Sequence, residues 1–107
     1  MGQAERTRNE RNGKQDVEFM NALSIRQPYV EQILRGMKRI EYRSRPTSRI
    51  GERFYIYAAK QPGPDREFAR LRCRPGDLPT GKLIGTAIIS QCTVHPSAFI
   101  LHSISGI

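Results

Sequence analysis

The chain has 107 residues, of which 37% are hydrophobic, which allows one small domain with one modest core and leaves too little material for a second. No run approaches the roughly 18 apolar residues of a membrane-spanning helix, and the polar, charged start lacks the apolar segment of a secretory leader, so neither a transmembrane nor a secreted protein is expected. Eighteen basic residues, 14 of them Arg, face 10 acidic ones for a net charge of +8, and the whole excess lies between Phe19 and Ile107. A field of that sign concentrates polyanions: nucleic acid is the first partner class and an anionic membrane surface the second, beside the plain alternative that the charge only keeps a small domain soluble.

In chain order, residues 1–18 hold almost nothing large and apolar and are expected to form a disordered tail, leaving 19–107 as the folded domain. The Met1-Gly2 start does not make a myristoylation signal, because Arg6 stands where Ser or Thr is required. Val17 and Phe19 open the apolar pattern, and Ala22-Leu23-Ser24-Ile25 predicts a short first strand. Pro28 suits a helix start, Val30, Ile33, Leu34 and Met37 recur at helical spacing, and Gly36 can adopt the left-handed terminating conformation, so a helix is predicted from Pro28 to Arg35. The period then changes to two. Ile40 and Tyr42 alternate with Arg39, Glu41 and Arg43, which predicts a half-buried strand anchored by Ile40 and Tyr42.

Further on, Arg53 to Ala59 with its Phe54-Tyr55-Ile56-Tyr57 run predicts a stronger strand. Asp65 to Leu71 predicts a short helix turning Phe68 and Leu71 inward. Leu83 to Ile89 reads as a central strand, apolar on both faces. Ala98 to Leu101 is apolar enough to pack, but Ser103 to Ile107 carries no strand signal, so four strands are expected where a small barrel needs about five or more. The class is α+β: a mixed, curled sheet with helices at its margins.

Cys73 and Cys92 are too few for a disulfide scaffold and fit a reducing cytoplasm, as free and buried thiols. With His95 and His102 they could be drawn as a zinc site, but no CxxC pair is present and the spacing matches no common finger, so no metal and no cofactor are expected. The chemistry is densest in Leu23 to Arg43. Strand alternation puts Glu41 and Arg43 on one face, and Lys38 follows the Gly36 turn, giving two anion-binding groups and one acceptor or base. That set suits a phosphate together with the edge of a base, or an ordinary solvated ion pair.

Leu23-Ser24-Ile25-Arg26-Gln27-Pro28-Tyr29 followed by Gly36-Met37-Lys38-Arg39-Ile40-Glu41-Tyr42-Arg43 resembles the ASCH (activating signal cointegrator homology) domain, with its SxRQP start and GxKxxExR motif. Arg49-Ile50-Gly51, Ala59-Lys60 and Gly81 to Cys92 continue the likeness, which spans Leu23 to Cys92. The resemblance implies a small PUA-like barrel with a basic cleft around the GxKxxExR segment, associated with RNA binding and with transcription coregulation or RNA metabolism. It implies Ser24, Arg26, Lys38, Glu41 and Arg43 as cleft residues, with Tyr29 and Lys60 at the margin. Arg26, Lys38 and Arg43 would then hold phosphate, Glu41 would accept a hydrogen bond, and Tyr29 would stack. The same residues admit plain structural roles, with Arg26 paired to Glu41 and Tyr29 in the core.

Two departures from the family pattern shape the expectation. The chain has no Trp, and no Gly-Trp or Gly-Tyr strand ending follows Cys92, so the barrel is expected to be incomplete toward the C-terminus, or completed by a protein partner at a sheet edge. Relatives resembling amidohydrolases of acylated pyrimidine nucleosides carry a Thr nucleophile where this chain has Glu41, so a non-catalytic, monomeric RNA- or nucleotide-binding module is the first reading. The alternatives are a small hydrolase of modified nucleosides or RNA, with Glu41 as base and Lys38 as stabiliser of an anionic intermediate, and a protein-interaction module.

Overall fold

The structure, a computed structural model, describes residues 21–107, so the expected tail 1–18, with Val17, and Phe19 lie outside the described residues. In chain order come β1 (Ala22–Ile25), α1 (Tyr29–Leu34), β2 (Ile40–Tyr42), β3 (Arg53–Ala58), α2 (Asp65–Ala69), β4 (Lys82–Val94) and β5 (Ser97–Gly106). They build one sheet in the order β1-β3-β4-β5-β2, with β1 parallel to β3 and every other neighbour antiparallel.

Strand alternation makes the core. In β3, Phe54, Ile56 and Ala58 point inward while Tyr55 and Tyr57 take the other face, and β4 matches them with Gly85, Ala87 and Ile89. Phe99 and Leu101 of β5 and Val30 and Ile33 of α1 complete one apolar cluster. Each such side chain contributes about 1.5–3 kcal/mol by leaving water. Gly85 is required where it stands: a β-carbon there would lie 2.5 Å from the Ser105 carbonyl oxygen and 3.1 Å from Leu34 Cδ2.

The sheet curls because its ladders are irregular. The register shifts between Ile56 and Tyr57 in the β3–β4 pair, and twice in the β4–β5 pair, between Thr86 and Ile88 and between Ile89 and Gln91. Extra residues of this kind bend a strand and increase its twist. The two end strands, β1 and β2, are thereby rolled toward each other, and the Arg43 Nη1 donates across the seam to the Ser24 carbonyl oxygen at 3.0 Å. The result is a curled half-barrel with two short helices, as expected of a small α+β PUA-like barrel that is incomplete; the gap is the β1–β2 seam.

Several expectations need correction. A fifth strand exists: β5 spans ten residues, Ser97–Gly106, and pairs with β4 over most of its length. Its serines and histidine mask the strand locally, and pairing with β4 supplies what intrinsic preference does not. Ile40 and Tyr42 do not anchor β2; they are 42% and 64% exposed, and the strand turns its charged side inward instead. Met37 is exposed because Gly36, at φ +78°, has already ended the helix. The Leu83 to Ile89 stretch is the central strand but alternates in burial, with only one face fully covered. Both cysteines are free thiols, though half-buried and not fully inside. Phe68 and Leu71 are buried as predicted.

Candidate nucleic-acid interface

The site begins with how α1 ends. The Gln32 carbonyl oxygen accepts from the backbone N–H groups of both Met37 and Lys38, at 2.8 and 3.2 Å, closing the turn that Gly36 permits. This places the Lys38 ammonium 5.5 Å from the centroid of the Tyr29 ring, within cation–π range. Lys38 Nζ also donates to the Ile40 carbonyl oxygen and stands 3.5 Å from Glu41 Oε1.

Glu41 lies at the middle of β2 in register with the buried Phe99, which turns its carboxylate toward the inside of the half-barrel, where the side chain is 13% exposed. Its second oxygen is 3.4 Å from Arg43 Nη1, the nitrogen that reaches the Ser24 carbonyl oxygen. One carboxylate thus holds two cations, and the three charges sum to a positive site whose members are partly shielded from water. Ion pairs in such a position are screened less than exposed ones, so the cations are held in place while donors on both remain for an incoming anion.

The other predicted residues divide. Ser24 takes part through its backbone; register aligns it with Tyr57, on the face opposite the buried Ile56 and Ala58. Tyr29 packs against the core and lies under the Lys38 ammonium. Arg26 is exposed and makes no side-chain hydrogen bond or ion pair among the described residues; the Arg26–Glu41 pair is not formed, because Lys38 and Arg43 occupy the carboxylate. Lys60 is also exposed, with its aliphatic stem against Gly81, and is not joined to the Lys38–Glu41–Arg43 group by any hydrogen bond or ion pair among the described residues.

Two glutamines that sequence reasoning passed over hold this arrangement. Gln27, fully buried, accepts from the Glu31 N–H at 3.1 Å and donates to the Pro79 carbonyl oxygen at 3.0 Å, fixing the start of α1 to the loop before β4. Gln32 donates to Glu67 Oε1 at 3.0 Å and so ties α1 to α2. For Gln32 the available signal was a long polar side chain among the apolar residues of a helix, which has to find partners if buried. Among the described residues no three His, Cys, Asp or Glu side chains gather as a metal site, and no helix is long and apolar enough to cross a membrane.

The family model of the ASCH domain matches residues 23–103, a span that contains every residue of the charged group and all five strands save the ends of β1 and β5. A human protein, Activating signal cointegrator 1, is 32% identical over a 95-residue alignment that covers 73% of this chain. The chain spans 16% of the length of that relative. With the family match covering most of the chain and the half-barrel placing Lys38, Glu41 and Arg43 at one seam, the chain belongs to the ASCH domain family.

Proposed function

We propose that this domain binds RNA or a nucleotide-like ligand in a basic cleft at the β1–β2 seam, without catalysing a reaction. The observation that carries the reading is the Lys38–Glu41–Arg43 group, two cations positioned by one carboxylate beside an aromatic ring and an edge-strand backbone. Lys38 and Arg43 hold phosphate, and Glu41 accepts a hydrogen bond from a base or sugar. Arg26 and Lys60, both exposed, serve as outer phosphate contacts, and Tyr29 offers the stacking surface next to Lys38. The name of the human relative, a signal cointegrator, supports a place in transcription coregulation or RNA metabolism. The free thiols of Cys73 and Cys92 support a cytoplasmic setting.

A chemical-shift titration with a short single-stranded RNA, a DNA of the same sequence and a panel of nucleosides tests this. Shifts at Ser24, Lys38, Glu41 and Arg43 that appear with RNA and fade as salt is added are expected. Shifts confined to a free nucleoside, together with turnover that Glu41→Gln abolishes, would instead identify the hydrolase for which the 3.5 Å Lys38–Glu41 approach is suited. No perturbation by any ligand would overturn both.

A further inference from the structure

Beyond the seam, the molecule carries a cluster of arginines that the proposed function leaves unused. Arg66, Arg70, Arg72 and Arg74 fall within nine residues on α2 and the loop after it, and Arg35 joins them from the end of α1. All five are exposed. Four carboxylates, Glu31, Asp65, Glu67 and Asp77, lie among them, and three are engaged: Glu67 accepts from Arg70 at 3.1 Å and lies 4.0 Å from Arg66, and Glu31 pairs with Arg35 at 2.8 Å. Asp77 spends one oxygen on the Arg74 backbone N–H. Arg72 and Arg74 make no side-chain hydrogen bond or ion pair among the described residues, and Arg72 stands at φ +59°.

This surface is mechanically continuous with the seam. Gln32 accepts at its carbonyl oxygen from the N–H of Lys38 and donates with its side chain to Glu67, which in turn receives Arg70. One buried residue therefore sets the separation between the seam lysine and the arginines of α2. We infer that the Arg66 to Arg74 surface is a phosphate-binding track for single-stranded RNA, carrying the backbone of nucleotides that flank the one held at the seam. The inference rests on the nucleic-acid reading of the seam and extends it from a one-nucleotide site to a strand. Arginine suits the role, since each exposed guanidinium offers forked donors to a phosphate while staying charged at any working pH.

The experiment compares Arg72→Ala/Arg74→Ala with Lys38→Ala/Arg43→Ala in the full chain, using a 5′-mononucleotide and a 12-nucleotide single-stranded RNA over a salt series. The α2-loop variant is expected to bind the RNA roughly tenfold more weakly, with a log–log salt slope smaller by about 1.4 for two lost phosphate contacts. Its mononucleotide affinity is expected to stay unchanged, which also reports that it is folded. If RNA affinity and slope are unaltered in this variant while the seam variant weakens both ligands, the track is overturned and the seam reading stands. If neither variant changes either ligand, both are wrong. Binding of polyglutamate as tight as that of RNA would also overturn the inference, since the arginines would then take any polyanion.

Discussion

Gln27 and Glu67 show how single polar groups hold the frame of the site. Both amide ends of Gln27 are used and the residue is buried, so Gln27→Ala orphans the Glu31 N–H and the Pro79 carbonyl oxygen. A loss of about 1–3 kcal/mol is expected in urea unfolding. Glu67 has its carboxyl held below the ordinary carboxylate value, first by the hydrogen bond from Gln32 and then by Arg70 and Arg66, against the opposing effect of burial. A folded value below the unfolded one stabilises the protein above the unfolded value, and that stabilisation disappears as the pH falls through the depressed folded one. Acid unfolding of Glu67→Gln is therefore expected to lack this part of the pH dependence, while the wild-type chain loses stability through and below the usual carboxylate range. At the seam, Lys38→Ala and Arg43→Ala are each expected to weaken RNA binding uniformly across sequences and to lower the salt slope by about 0.7, measured by fluorescence anisotropy.

At the scale of elements, the ladder irregularities of β4 and the glycines that permit close approach decide the curl. Gly85→Ala forces a β-carbon against the Ser105 carbonyl oxygen, which belongs to the neighbouring strand backbone and cannot swing aside as a side chain would. An overpacking cost of about 1–3 kcal/mol is expected in a thermal or denaturant melt. The seam is the weaker joint, since one guanidinium spans it in place of a backbone ladder. Arg43→Met is expected to raise amide exchange in β1 and β2 by roughly fivefold, the equivalent of about 1 kcal/mol in a hydrogen bond lost at a partly exposed site. Much of this level was legible beforehand: β1, α1, β3 and α2 fall where period and turn residues put them, within a residue or two at their ends. The strand β5 was not, because Ser103, Ser105 and Gly106 weaken its local signal and its partner β4 lies in a ladder that no local window contains.

For the whole molecule, the net charge of +8 is spread widely over the fold, and two of its basic clusters, the seam cations and the arginines about α2, are joined through Gln32. The amino-acid order by itself determined the sign and placement of that charge, the α+β class, the family likeness and the grouping of Lys38, Glu41 and Arg43, since a turn at Gly36 and an alternating strand bring those three together over short separations. Only the tertiary structure decided which way β2 faces. Alternation says that Ile40 and Tyr42 lie opposite Glu41, but which side is inside depends on pairing with β5, where Glu41 shares a face with Phe99. The tertiary fold alone also brought Ser24 to Arg43 across the seam, freed Arg26 from Glu41 and set Gln32 against Glu67. Those contacts join residues far apart in the chain, and their existence depends on how far the bulged sheet curls, a property that accumulates over five strands and is written in no single one of them.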